Sequence, residues 1–280
     1  MRYNTGIVAV IVLYKTKLGQ SKSFLSLSSS LMRSNIVLDL VVYDNSPGYN
    51  ADEVFDGYPN WIITYCPDEE NSGVSKAYNT AAKIAREKDK EWLLLLDQDT
   101  SFTDHAISVY LDAFKKYPED ILFAPIMLEN NGKILSPCYF RFMRGFSSSH
   151  VKTGVNSLSA FSVINCAMCI AIDAFEKNNG YNEQIKLDFA DHDFIRRFKE
   201  SNGDRFVVVD LKVAHQLSSE TRNSMGSDIV RFDYYLDGAK HMSATMAEKF
   251  LLMVNAFLRA VKLSLIHRNV AFLAKWFKWI

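Results

Sequence analysis

The stretch Trp92-Leu93-Leu94-Leu95-Leu96-Asp97-Gln98-Asp99-Thr100 constrains this chain more than any other. Consecutive leucines leave no polar face, so the segment reads as a central strand buried on both sides, entered from the charged run 86–91. Residues two apart on a strand point the same way. A strand persisting through Asp99 would therefore project both carboxylates together at its C-terminal end. Ligands sit at that edge in open α/β sheets. Adjacent carboxylates repel unless a cation lies between them, and a divalent metal carrying a diphosphate meets that need. Taken alone, the same residues also describe a polar strand end followed by a helix N-cap at Thr100 or Thr103.

The segments around this strand predict alternating strands and helices. Residues 6–13 and 37–43 are β-branched, apolar strands, and 61–65 is a short third one. Residues 24–32 carry apolar side chains at helical spacing, and a loop at 71–73 opens a helix running past Ile84. Such βαβ units predict a mostly parallel sheet with right-handed crossovers, so all strand ends share one edge. Asp44, Asn71, Asp97 and Asp99 then converge although they are scattered in sequence. No G-x-G-x-x-G follows the first strand and no P-loop motif occurs, which removes the main support for dinucleotide and P-loop readings.

In the second half, 121–127 and 163–172 read as strands, 133–142 as a hairpin arm, and 145–156 as a mobile loop over the site. A turn at 178–182 precedes Leu187-Asp188-Phe189-Ala190-Asp191-His192-Asp193, which leads into a helix, and 206–209 is a last strand ahead of His215. Cys166 and Cys169 form a C-x-x-C without a second pair to complete a zinc site; in an apolar context they read as core. Formal net charge is zero, so nothing global points to nucleic acid. No apolar run approaches the ~18 residues needed to span a bilayer. The run 7–13 is short and fits a strand better than a signal-peptide core, so a cytoplasmic location is expected. From Phe250 the pattern is helical and interleaved with Arg259, Lys262, Arg268, Lys275 and Lys278, ending in Trp276-Phe277-Lys278-Trp279-Ile280. Basic residues beside tryptophans suit an anionic membrane surface; the alternative is a helix packed on its own domain or on a partner subunit.

In this order, Val10-Ile11-Val12-Leu13-Tyr14, Val42-Tyr43-Asp44-Asn45-Ser46, Asn71-Ser72-Gly73 with Ala77 and Asn79, Leu96-Asp97-Gln98-Asp99 and the Asp191 region resemble inverting glycosyltransferases of family 2. The resemblance covers about the first 215 residues. It implies an α/β GT-A fold with a catalytic domain over 1–220 and a helical extension over 221–280, associated with acceptor or membrane. The Leu-Asp-Gln-Asp form and the His-x-Leu at 215–217 are most similar to bacterial rhamnosyltransferases of O-antigen and cell-wall polysaccharide assembly.

The resemblance also implies roles. Leu13, Tyr14, Asp44, Asn71, Gly73, Lys76, Asn79, Asp97 and Gln98 would bind the nucleotide-sugar, with Asp44 at the base and Asp97 at the ribose or donor sugar. Asp99, with His215 as a second ligand, would hold Mg²⁺ or Mn²⁺ at the diphosphate. Asp191 would be the base that deprotonates the acceptor, with Asp188 and Asp193 as competitors; Ala190 stands where the family carries a glutamate. The expected donor is a dTDP- or UDP-sugar, L-rhamnose from dTDP-rhamnose being favoured. The expected acceptor is a lipid-linked oligosaccharide, at a peripheral site on the inner face of the plasma membrane. Two other classes fit parts of the pattern. A nucleotidyltransferase would share the metal carboxylates but lacks a glycine-rich basic N-terminal motif here, and a non-catalytic nucleotide-sugar-binding scaffold would explain the missing glutamate.

Overall fold

Two apolar layers, one on each side of a sheet, account for the leucine run. The structure is a computed structural model and describes residues 3–129, 131–215, 224–242 and 244–280. The first half alternates as the pattern predicts: β1 (Tyr3–Leu13), α1 (Lys22–Ser34), β2 (Ile36–Asp44), β3 (Trp61–Pro67), α2 (Val74–Glu87) and β4 (Trp92–Asp97). Then follow β5 (Thr100–Ser101), α3 (Ala106–Lys116), β6 (Leu122–Leu128), β7 (Ile134–Arg141), β8 (Arg144–Ser148), β9 (Gly154–Ser157) and β10 (Cys169–Ala171). The chain continues with α4 (Ile172–Lys177), α5 (Ala190–Asn202), β11 (Arg205–His215), α6 (Met225–His241), α7 (Met246–His267) and α8 (Ala271–Trp279).

The sheet runs β3-β2-β1-β4-β10-β6-β11-β5. Its first four strands are parallel, and β10 enters antiparallel between β4 and β6. The result is a mixed α/β sheet flanked by helices. Leu93 and Leu95 join the core under α2 and the C-terminal helices, while Leu94 and Leu96 join the core under α1 and α3. Asp97 has the parity of Leu93 and Leu95, so its carboxylate continues the face that the C-terminal helices cover. α2 lies close to the sheet because it buries Ala77, Ala81, Ala82 and Ala85, whose small side chains permit the approach.

Three sequence expectations change. β4 ends at Asp97 rather than running through Asp99. The Gln98 carbonyl accepts from Lys22 N–H (3.0 Å) and Ser21 Oγ (2.9 Å), so α1 takes the group that a longer strand would have paired. The expected mobile loop at 145–156 instead contributes to two paired strands, β8 against β7 and β9 against β11. The expected strand at 163–172 pairs only over Cys169–Ala171 before α4 begins. It is apolar because it is buried, and Ala167 turns with φ +62° to donate its N–H to Leu95 O.

The C-terminal helices pack on the same core: Phe232, Leu252, Ala256, Ala260 and Phe272 are buried within the cluster that holds Val10 and Leu95. The boundary expected at 220/221 and the residues 216 and 217 lie outside the described residues. α7 is long and apolar enough to cross a membrane by length and composition, with 17% of its most apolar window buried. Arg259 and Lys262 interrupt the run in sequence without lowering the average enough to disqualify it.

The joint between α5 and α7 rests on Glu248. Its carboxylate receives Arg196 Nη1 (2.8 Å) and Nη2 (3.2 Å) and closes a capping box with Thr245. Arg196 first, and then the Thr245 N–H and hydroxyl, hold the carboxyl down at about 2. Because the folded pKa is depressed, this stabilisation is present above pH ~4.5 and is lost as pH falls toward 2. Glu248→Gln is expected to cost about 1 kcal/mol at pH 7 and almost nothing near pH 2. Denaturant melts at the two pH values check this, and an equal cost at both would remove the charge from the account.

Candidate active site

The site forms where β4 ends against the start of α5. Asp97 and Asp191 line one cavity of about 1030 Å³, together with Asn165 and His192. Tyr78 OH lies 3.4 Å from Asp97 Oδ1, and Tyr181 OH donates to Asn165 Oδ1 (2.7 Å). Burial pushes the Asp97 carboxyl up to about 6; the charges of Asp99 and Asp191 add to the rise, and His215 opposes it. A carboxylate pushed toward protonation beside two others marks a place that lacks positive charge.

Asp99 supplies the next carboxylate from the turn. Its Oδ1 lies 3.4 Å from His215 Nδ1, which also meets Thr100 Oγ1 at 2.8 Å. β11 pairs with β5 at His215↔Thr100, so the sheet brings the histidine to the turn. Ligand atoms of Asp97, Cys166 and His215 fall within 4.8 Å of one another. A divalent metal is the cofactor that this kind of site implies, and the donors fit one: carboxylate oxygens suit Mg²⁺ or Mn²⁺, and an imidazole beside them favours Mn²⁺ of the two. The Cys166 thiol fits less well, because burial keeps it protonated and it sits against Thr100 Oγ1 at 2.7 Å. The two cysteines therefore differ. Cys169 is core, whereas Cys166 borders the metal-type cluster, which its apolar sequence context concealed.

Of the three acids near α5, two are engaged. Asp193 is buried and ion-paired with Arg197 Nε (2.8 Å), whose Nη1 also ties down the carbonyls of Asn178 and Gly180. Asp188 reaches the cavity but lies 3.4 Å from Arg259 Nη1 and 3.9 Å from Arg231 Nη2. Asp191 faces the cavity from the first turn of α5 and accepts one hydrogen bond, from His192 N–H at 2.7 Å.

The other expected donor-binding residues divide. Asp44 is fully buried; its oxygens accept from Ser46 N–H, Asn50 Nδ2 and Tyr65 OH, so it orders the 45–50 loop. The Leu13 side chain is core, and its carbonyl accepts from Asn45 N–H. Gln98 clamps the Tyr14 peptide, accepting from its N–H (2.9 Å) and donating to its carbonyl (3.3 Å), which leaves the Tyr14 ring exposed. Asn79 spends its amide on Tyr181 N–H, Tyr181 O and Glu183, and Lys76 pairs with Glu183 at 3.1 Å. Asn71 donates to Tyr234 OH on α6 (3.3 Å). Asp68, which sequence reasoning missed, orders the 68–72 loop by accepting from Ser72 N–H, Glu70 N–H and Tyr43 OH. The turn Pro67-Asp68-Glu69-Glu70 was the available clue.

Gly73 holds the 68–73 loop against the segment leading to Asp191. Its φ is +91°, and a Cβ there would stand 2.2 Å from Lys186 O, the acceptor of the Val74 N–H. Gly73→Ala is expected to cost about 3 kcal/mol through backbone strain and overpacking together. A thermal melt within experimental error of wild type would show that the loop tolerates separation from residue 186.

Residues 23–149 match the family model described as Glycosyl transferase family 2. This segment, a little under half of the chain, is similar to family 2 glycosyltransferases. It carries β2, the 68–73 loop, α2, and β4 with Asp97 and Asp99, while Asp191 and His215 lie beyond it. The chain is similar in fold to S. aureus TarS 1-349 in complex with UDP, at 16% identity and a TM-score of 0.55, covering 91% of this chain and 70% of that one. It is also similar to S. aureus TarS, at 14% identity and 0.56, covering 92% of this chain and 45% of that one. GalNAc-T7 with UDP, GalNAc and Mn²⁺ aligns at 12% identity and 0.54, covering 88% and 53%. The chain thus spans about half the length of the latter two. No curated protein matches it. The comparison supports a GT-A-like fold, with β4 delivering its acidic end to the sheet edge.

Proposed function

We propose that the enzyme is an inverting glycosyltransferase that moves a sugar from a nucleotide-sugar to a lipid-linked glycan at the inner membrane face. The observation that carries this reading is the cavity shared by Asp97 and Asp191, with Asp99 and His215 beside it. Asp97, Asp99 and His215 would hold Mg²⁺ or Mn²⁺, which when bound offsets the charge of the leaving diphosphate. Asp191 takes the proton of the acceptor hydroxyl as that oxygen bonds to the anomeric carbon and the diphosphate leaves from the opposite side. Tyr78 orients Asp97, and the 68–73 loop with its Gly73 positions the donor. Membrane association is supported by exposed Phe250, Leu265, Val270, Phe277 and Ile280, interspersed with exposed Lys249, Arg268 and Lys278.

The donor favoured by the Leu-Asp-Gln-Asp resemblance is dTDP-L-rhamnose. A UDP-hexose is the second reading, favoured because the solved relatives carry UDP, and one UDP-GlcNAc. Thermal stabilisation by dTDP-rhamnose, UDP-galactose, UDP-GlcNAc and GDP-mannose, each with and without Mn²⁺, separates the two. A metal-dependent shift of several degrees with dTDP-rhamnose alone is the expected result. A shift with a UDP-sugar alone would replace the donor, and none with any donor would remove the transferase reading.

A further inference from the structure

The cavity does not end at the carboxylates. The same cavity is also lined by cations: Arg231 of α6, Arg259 and Lys262 of α7, and Arg144 of β8. Asp188 balances part of that charge through Arg259 and Arg231, and Asp228 is engaged at 2.7 Å by His267 Nε2. Arg259 is held in place by stacking on the Tyr235 ring, 4.2 Å from its centroid. Helical spacing places Leu258, Lys262 and Ile266 on one strip of α7. Leu258 and Ile266 line the cavity and are also 52% and 48% exposed, so they join its mouth to the outer apolar face that carries Val254 and Leu265. One cavity thus offers a bound molecule acids, cations and an open apolar surface.

We propose that Arg231, Lys262 and Arg144 bind the phosphate of a prenyl-phosphate-type acceptor, whose lipid leaves over Leu258 and Ile266. This inference rests on the transferase reading and adds the acceptor's anion subsite to it. Guanidinium and ammonium groups on a partly enclosed wall suit phosphate oxygens, and the apolar strip beside them selects a lipid-bearing phosphate over a free one. The sugar end of such an acceptor points from the cations toward Asp191, and its hydrocarbon end points toward the membrane face.

Farnesyl diphosphate serves as the probe, titrated calorimetrically into the full chain in EDTA so that no metal captures the diphosphate at the donor site. It is expected to bind at least tenfold more tightly than farnesol or inorganic pyrophosphate, with affinity falling as salt rises. The double substitution Arg231→Gln/Lys262→Gln should weaken it tenfold or more, while UDP with Mn²⁺ binds as in wild type. Arg144→Gln, on an exposed hairpin position, gives a smaller loss and is a second variant should the double one unfold. Farnesol binding as well as the diphosphate, or unchanged affinity in folded variants, would overturn the subsite; pyrophosphate binding as well would overturn its lipid assignment. Failure of UDP with Mn²⁺ to bind wild type strikes the transferase reading itself, whereas UDP binding without farnesyl diphosphate binding strikes this inference alone.

Discussion

Asp191→Asn is expected to lower kcat about a thousandfold while donor affinity stays within about twofold. The size follows from the lack of a substitute. Asp193 cannot serve, because it is buried and its charge is committed to Arg197. Asp188 reaches the cavity but its carboxylate is engaged by Arg259 and, at longer range, Arg231. Asparagine keeps the shape and the hydrogen bond from His192 N–H, so the fold and the donor pocket should survive. Steady-state kinetics with donor titrations check this. A loss shared equally between turnover and donor affinity would make Asp191 a positioning residue.

Asp97→Asn is expected to reduce transfer at least a hundredfold and, in EDTA, to stabilise the protein by about 2 kcal/mol at pH 7.5. The stability gain follows from the raised pKa of about 6. Between pH ~4 and 6 the folded state holds a proton that the unfolded state has released, so wild-type stability falls as pH rises through this window. Above it the full cost of a buried charge is present, and asparagine removes that cost. Below pH ~4 the two proteins should melt alike. Mn²⁺ with a bound nucleotide should narrow the gap by stabilising wild type alone. Melts at pH 4 and 7.5, with and without metal, provide the measurement. A variant no more stable than wild type at pH 7.5 in EDTA would show that Asp97 is not strained by burial. Such a trade of stability for a charged site is common where function needs a cation.

The fold was legible where both faces of a segment are buried. The leucines of β4 and the β-branched runs of β1 and β2 could be nothing but interior strands, and the alanines of α2 could lie only against a sheet. The run 163–172 misled for a related reason: burial makes a segment apolar whether it is extended or turned, and periodicity does not separate the two. Within the site, the resemblance brought the right segments together but not the work of each side chain. Asp44, Asn79 and Gln98 sit at donor-type positions, and each also ties neighbouring segments of the protein together.

The sequence by itself determined the order of strands and helices, the shared edge where β4 delivers Asp97, and a segment matching family 2 glycosyltransferases. These depend on local apolar pattern and chain connectivity, which are written residue by residue. Only the tertiary structure decided that Asp99 leaves the strand, that Cys166 joins His215, that Asp193 and Asp188 are paired away, and that the C-terminal helices build a cationic wall on the same cavity. Those outcomes depend on contacts between residues far apart in the chain, as Asp99 and His215 are, and on which of several available partners takes each charge once the chain has closed.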